Sequence, residues 1–135
     1  MGEQVREIKL RGYCKSTKGW LYGNLVHYKE GFDMIYYQKP NESYMYGDVV
    51  DIKSIGQYTG LKDKKGKEIY EGDIVKSISG KIGYVIFLQQ EMGYVVVWDN
   101  CDTRLGHRNR GGGYECDGSI EVVGNVYDNP ELVEQ

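Results

Sequence analysis

The sequence has no long apolar run, and its opening residues, MGEQVREIKL, contain no apolar core of the kind that secretory signals carry. A membrane-spanning helix needs about 20 apolar residues, and no segment approaches that length. The three cysteines, Cys14, Cys101 and Cys116, are too few and too irregularly spaced for a disulfide framework. We therefore expect reduced thiols, a cytoplasmic location and no contact with a membrane.

An excess of charge of one sign is also lacking. The chain has 17 basic and 20 acidic residues, a formal net charge of -3. Proteins dedicated to binding polyanions usually carry a clear basic excess. The balance therefore argues against that class, while a local basic patch is compatible with it.

Tyrosine and glycine are abundant, with 13 and 19 residues against two prolines and two phenylalanines. Tyrosine favours strands, where its ring can pack while its hydroxyl stays in water. Apolar residues alternate at period two in most segments, and helical periodicity is nearly absent. Composition and periodicity together predict an all-β protein of short strands joined by glycine turns.

The second half of the chain shows the clearest strands, which are predicted at residues 74–78, 81–89, 94–98 and 120–127. In the first half, residues 49–55 continue the alternation. The short glycine turns of the second half are typical of an SH3-like small barrel. We therefore predict a single domain over 1–135, built from short antiparallel strands, with an N-terminal β lobe (1–56) and an SH3-like β lobe (57–135).

The stretch QYTGLKDKKGKEIYEGDIV, residues 57–75, combines three glycines with turn-forming residues. DKKG at 63–66 has Asp first and Gly fourth, as in a type I turn whose Asp accepts hydrogen bonds from backbone N–H groups. EGD at 71–73 is a second tight turn. The stretch is therefore predicted to be mainly β-hairpin architecture, with a glycine bulge, rather than a binding loop.

Four lysines lie on the tip of this predicted hairpin: Lys62, Lys64, Lys65 and Lys67. Acidic residues alternate with them, which favours a solvated tip that resists aggregation. The alternative is contact between these lysines and the phosphates of a nucleic acid.

Four blocks of the sequence are similar to the YopX family, which occurs in phages and prophages of low-GC bacteria. The central block is the stretch at 57–75, and REIKLRGYC, GWLYGNLV and EVVGNVYDNPELVE resemble the family's opening, second and closing blocks. Gly-Tyr-Cys at 12–14 stands where the family more often has Ala-Trp-Asp. The resemblance implies a YopX-like, all-β, phage-derived protein of the bacterial cytoplasm. It carries over no catalytic residue.

A metal site is one hypothesis for the cysteines. Cys101, His107 and Cys116, with Asp99 or Asp102, are ligand types that suit zinc. Their spacing matches neither a zinc ribbon nor a zinc finger, and no Cys-x-x-Cys motif is present. Two ordinary thiols near a loop are the favoured interpretation, so no metal and no cofactor are expected.

Catalysis is not predicted either. A Cys/His pair is available by composition, but nothing in the sequence brings the two together. Asp48 and Asp51 are the densest pair of carboxylates, and alternation along a strand would point them to opposite faces. We expect that the protein is not an enzyme, because no pattern supplies a nucleophile, a base and an orienting group.

The segment 100–118 is a long polar connection that ends in a glycine run. It contains residues suited to contact with a partner: Arg104, His107, Arg108, Arg110 and Tyr114. Arginines near flexible glycines can follow a nucleic-acid backbone while a tyrosine stacks on a base. A disordered connection is the favoured interpretation, and a protein partner is an alternative to nucleic acid.

Six tyrosines could form a surface for self-association: Tyr36, Tyr37, Tyr44, Tyr46, Tyr84 and Tyr94. Covering the faces of the sheets is the slightly favoured alternative. We expect a phage accessory or regulatory protein that binds a phage or host protein, with a homo-oligomer as one form of that binding. The alternative is a β module that binds nucleic acid.

Overall fold

A computed structural model describes residues 7–99, 102–105 and 119–133. This described part contains eleven strands in two antiparallel sheets, and the all-β prediction is confirmed. The strands are β1 (Leu10–Cys14), β2 (Gly19–Tyr28), β3 (Phe32–Tyr37), β4 (Tyr46–Val50), β5 (Gly56–Lys62), β6 (Glu68–Tyr70), β7 (Asp73–Ser77), β8 (Ile82–Leu88), β9 (Gly93–Val97), β10 (Asp102–Arg104) and β11 (Ile120–Asn125). Three 3-10 turns accompany them at Ile52–Ser54, Gln89–Glu91 and Pro130–Leu132.

The strands of the described part do not close into a barrel, so the prediction of a small barrel is wrong in that respect. The SH3-like character of the second half stays a prediction. The chain divides into two compact units, residues 1–58 and 59–135. Strand β5 contains the last residues of the first unit and the first residues of the second. No helix of the described part is long and apolar enough to cross a membrane.

In the first unit the strands lie in the order β4-β3-β2-β1-β5. Gly31 turns the chain between β2 and β3 with a φ of +103°, a conformation that glycine adopts without strain. Its N–H donates to the carbonyl of Tyr28 at 2.9 Å, which fixes the pairing of the two strands. Strand β4 ends at Val50 because Asp51 caps the following 3-10 turn, so the predicted strand over 49–55 is wrong beyond that residue.

The sheet of the first unit curls until β1 meets the end of β4. A Cβ atom on Gly12 would lie 2.8 Å from the Cβ of Val50, closer than real Cβ atoms approach. The N–H of Asp51 donates to the carbonyl of Tyr13 at 2.9 Å, and this joins the two strands. The glycine at 12 therefore allows the close approach between β1 and Val50.

In the second unit five strands lie in the order β10-β9-β8-β7-β11. The end of β5 forms a hairpin with β6, as the turn residues at 63–66 predict. The core of the unit consists of buried aliphatic side chains from these strands, which are Ile69, Val75, Val85, Val96, Ile120 and Val122. Strand alternation places five of them on one face of the five-stranded sheet, where they bury apolar surface, and Ile69 of β6 packs with them.

Candidate interaction surface

The turn of the β5–β6 hairpin is built around a buried carboxylate, that of Asp63. One of its oxygens accepts hydrogen bonds from the N–H groups of Lys65 and Lys67, both at 2.9 Å. The other oxygen accepts from the N–H of Val122 in β11, at 2.8 Å. Burial raises the pKa of Asp63, but the three hydrogen bonds together lower it by more than burial raises it. The pKa of Asp63 is therefore below its ordinary value. Asp63 thus ties the hairpin to the last strand.

The second predicted turn has the same construction on a smaller scale. Gly72 has a φ of +94°, and the carboxylate of Asp73 accepts from the N–H of Tyr70 at 2.7 Å. Asp73 is almost completely buried. Both ends of the stretch at 57–75 are therefore turns held by internal hydrogen bonds, as the sequence predicts.

The lysines on the hairpin tip lie beside an acidic residue of β11. The ammonium of Lys65 is 2.9 Å from a carboxylate oxygen of Glu121, and that of Lys64 is 3.9 Å from the other. The hydrogen bond between Lys65 and Glu121 lowers the pKa of Glu121 and raises the pKa of Lys65. These pairs offset two of the four positive charges that were candidates for phosphate contact. Lys62 and Lys67 are exposed.

Arg104, the described arginine of the segment 100–118, also has an acidic partner. Its Nε and Nη2 atoms donate to one oxygen of Glu91 at 3.2 and 2.9 Å. The other candidates in this segment lie outside the described residues, namely His107, Arg108, Arg110 and Tyr114.

The hypothesised zinc ligands Cys101, His107 and Cys116 also lie outside the described residues. Within the part of the chain that the structure describes, no three His, Cys, Asp or Glu side chains are grouped so that they could hold a metal ion.

The remaining candidates for chemistry have separate structural partners. Asp48 accepts a hydrogen bond from the hydroxyl of Tyr37 at 3.0 Å, whereas Asp51 caps a 3-10 turn and lies 3.4 Å from the ammonium of Lys15. The thiol of Cys14 is buried. Burial raises its pKa, but hydrogen bonds from the following turn outweigh this and lower it.

One face of strands β2, β3 and β4 is apolar and open. Antiparallel partners point to the same side of a sheet, so the register places eight residues on this face, and alternation along β2 adds Tyr22. None of them is acidic or basic. We call this set the outer face, and it comprises Tyr22, Asn24, Val26, Tyr28, Phe32, Met34, Tyr36, Gly47 and Val49.

Several large apolar side chains of the outer face are in contact with solvent. The exposed fraction is 48% for Tyr22, 40% for Val26, 38% for Phe32 and 52% for Val49. The opposite face of the same strands contains Ile35 and other buried side chains. The sheet therefore carries apolar residues on both sides, and its buried side chains, such as Ile35 and Val50, lie opposite the outer face.

The aromatic side chains of the outer face are held in place by one another. The rings of Tyr28 and Phe32 stack at 4.6 Å between centroids, with an angle of 14° between their planes. The ring of Tyr36 lies over Gly47, where a Cβ would approach it to 2.5 Å. The hydroxyls of Tyr28 and Tyr36 are hydrogen-bonded, and this contact together with burial raises the pKa of Tyr36. The surface is therefore preorganised rather than loose.

The six tyrosines proposed from the sequence do not form one surface. Tyr36 belongs to the outer face, while Tyr37 and Tyr46 lie opposite each other on the other side of the sheet. Tyr84 and Tyr94 belong to the second unit, where Tyr94 packs against the core. The neighbours of Tyr36 on the outer face were not predicted from the sequence. Alternation in GWLYGNLVHY indicates that Tyr22, Val26 and Tyr28 share one side of β2, and the register of β2 with β3 places that side next to Tyr36.

Comparison with known proteins gives a family and a fold. No curated protein matches the chain. The crystal structure of protein EF1440 from Enterococcus faecalis superposes with a TM-score of 0.55 at 22% sequence identity, covering 96% of this chain and 100% of the other. A family model described as "YopX protein" matches residues 9–134, nearly the whole chain. The chain belongs to the YopX family.

Proposed function

We propose that this protein is a phage-derived accessory or regulatory protein that acts by binding a protein through its outer face. The bound protein is a phage or host protein or a second copy of the chain. The proposal involves no chemical step and no cofactor. The observation that carries it is a row of exposed aromatic and aliphatic side chains, uncharged over nine positions, in a chain in which 27% of residues are charged.

The composition of the outer face is that of a protein interface. Tyr, Phe and Met are enriched in the centres of interfaces, and charged residues are depleted there. Large apolar patches on soluble proteins usually mark sites of interaction. Stacked rings lose little side-chain entropy when a partner covers them, because they are already ordered.

The alternative, a nucleic-acid-binding module, has less support from the described residues. Lys64 and Lys65 lie beside Glu121, and Arg104 donates to Glu91. Nucleic-acid affinity depends on cations that are free to replace counterions along the phosphates. The net charge of -3 adds no general attraction to a polyanion.

A matched pair of substitutions tests the proposal. Val49→Asp places a charge in the outer face, and Val123→Asp changes a valine of similar exposure, 40%, in β11 of the second unit. Self-association is measured by sedimentation velocity, and capture of phage and host proteins is measured from infected cells. We expect Val49→Asp to weaken the association at least tenfold and Val123→Asp to leave it unchanged, because a buried unpaired charge is costly.

Equal binding by the two variants would overturn the outer face as the site. Nucleic acid is tested in parallel by fluorescence anisotropy with labelled single-stranded DNA, duplex DNA and RNA at low and high salt. Tight, salt-sensitive binding with no protein association would favour the nucleic-acid module instead.

A further inference from the structure

A second aromatic group lies at the loop end of the β3–β4 hairpin, on the side of the sheet opposite the outer face. It consists of Tyr37, Tyr44 and Tyr46, which we call the tyrosine cluster. The rings of Tyr37 and Tyr46 stack at 5.7 Å between centroids, and the rings of Tyr44 and Tyr46 lie 5.2 Å apart at an angle of 52°. Tyr44 is 61% exposed, so the cluster is open to solvent.

Two carboxylates hold the hydroxyls of the cluster. Tyr46 donates to Glu42, and Tyr37 donates to Asp48 at 3.0 Å. The hydrogen bonds to Glu42 and Tyr44 raise the pKa of Tyr46 to about 12, and those from the tyrosines lower the pKa of Glu42. At neutral pH Tyr46 is therefore an intact phenol that is hydrogen-bonded to the ionised carboxylate of Glu42.

A cation already occupies this cluster. The ammonium of Lys39 lies over the ring of Tyr46, 4.3 Å from its centroid. Ammonium and guanidinium groups are attracted to the negative face of an aromatic ring. The position of Lys39 therefore marks where a cation is accepted.

We propose that the tyrosine cluster is a recognition site for a Lys or Arg side chain of a partner protein, whose cation displaces Lys39. Two carboxylates and one ammonium contact the tyrosines of the cluster, so the cluster keeps a formal negative charge that attracts a further cation. Lys39 is exposed and stands in a turn, and exposed side chains change rotamer within nanoseconds. The site lies on the other side of the sheet, so it stands whether or not the outer face binds a protein.

The test uses acetylated, amidated tripeptides with Lys, Arg, norleucine or Glu between two glycines. Binding is followed by NMR from the ring signals of the tyrosines. We expect the Lys and Arg peptides to shift the signals of the tyrosine cluster, and the norleucine and Glu peptides to leave them in place. A response to norleucine equal to that to Lys would overturn the proposal, because the site would then be merely apolar.

Two substitutions of lysine make the test specific. Lys39→Met keeps the length of the side chain and removes the competing cation, so we expect the affinity for the Lys peptide to rise about 2- to 5-fold. Lys53→Met removes an exposed lysine from the same unit, away from the rings, and is expected to change nothing. An equal rise for both variants would indicate a general charge effect and would overturn the proposal, as would an unchanged affinity in Lys39→Met.

Tyr46→Leu removes the ring under Lys39 and should abolish the shifts of Tyr37 and Tyr44 with the Lys peptide. Thermal unfolding of each variant identifies any that fails to fold. The Lys39→Met comparison does not depend on that outcome, because Lys39 is exposed.

Discussion

The hairpin at 57–75 is rich in charged and turn-forming residues, and the outer face is rich in apolar ones. The two regions differ in whether these residues have partners within the protein. In the hairpin, the carboxylate of Asp63 and the ammonium of Lys65 have partners within the protein. On the outer face, Val26 and Val49 are 40% and 52% exposed, respectively. Residues satisfied internally serve folding, whereas apolar residues left open are available to another molecule.

Of the substitutions that test this comparison, Asp63→Ala is expected to change the free energy of unfolding most. Three backbone N–H groups would lose their acceptor, and that of Val122 is buried. Each such loss costs about 1 kcal/mol, so we expect a loss of about 3 kcal/mol in the free energy of unfolding. Chemical denaturation measures it. Asp102→Ala, at an exposed position of β10, is the control and should change the stability little. A loss below about 1 kcal/mol for Asp63→Ala would show that the carboxylate does not anchor the hairpin.

The same carboxylate should make the stability of the protein depend on pH. The folded pKa of Asp63 is lowered, so its contribution to stability is present above the unfolded pKa of about 4 and is lost as pH falls through the folded pKa. Wild-type stability should therefore fall below about pH 4. The difference in stability between wild type and Asp63→Ala should narrow over the same range. A difference that stays constant between neutral and strongly acidic pH would contradict this assignment.

A smaller loss is expected from Gly12→Ala, which tests the covered side of the first sheet. The new methyl group would press on Val50, whose Cβ and Cγ2 lie 2.8 Å from the added atom. Overpacking of this kind costs about 1–3 kcal/mol. The double variant with Val50→Ala should recover part of the loss, and unfolding free energies of the four proteins in this cycle measure the coupling. Purely additive losses would contradict direct contact between the two positions.

Phe32→Ala, on the open side of the same sheet, should affect association more than stability. Phe32 is 38% exposed and stacks on Tyr28, so its truncation removes a contact surface while leaving the buried core intact. We expect about tenfold weaker association, which is 1.4 kcal/mol, with a smaller change in the free energy of unfolding. A loss of stability as large as that of Gly12→Ala, with no change in association, would break the distinction between the two sides.

The smallest effect is expected from Lys65→Ala. The Lys65–Glu121 pair lies on the surface, where ion pairs contribute little to stability. Salt should reduce this small difference further. Binding to nucleic acid is measured by anisotropy at low salt. If Lys65→Ala weakened that binding, the lysines of the hairpin tip would have a role in recognition rather than in folding.

Local chemistry made the turns predictable, whereas non-local partners did not follow from the sequence. Asp63 and Gly66 predict a turn because both act on neighbouring backbone, and Gly66 has the expected positive φ of 83°. The second oxygen of Asp63 contacts Val122, 59 positions away, and no local pattern indicates that contact. Glu121 likewise reaches the lysine tip only through the pairing of distant strands.

The outer face could be predicted only in part, for a similar reason. Alternation indicates that Val26 and Tyr28 share a side of a strand. It does not indicate that Met34 and Val49 join them, because that depends on a register fixed by turns. Residues 49–55 show the opposite error, since the alternation continues past the point where Asp51 starts a 3-10 turn.

The bond between Asp63 and Val122 has a consequence for biosynthesis. A ribosome adds about 5–20 residues per second, and Val122 follows Asp63 by 59 residues. Roughly 3–12 s therefore pass between the synthesis of the hairpin turn and that of β11. During that interval the carboxylate of Asp63 stays hydrated, and the apolar side chains that β11 will cover are open to chaperones. The second unit therefore completes its folding only after β11 has been synthesised.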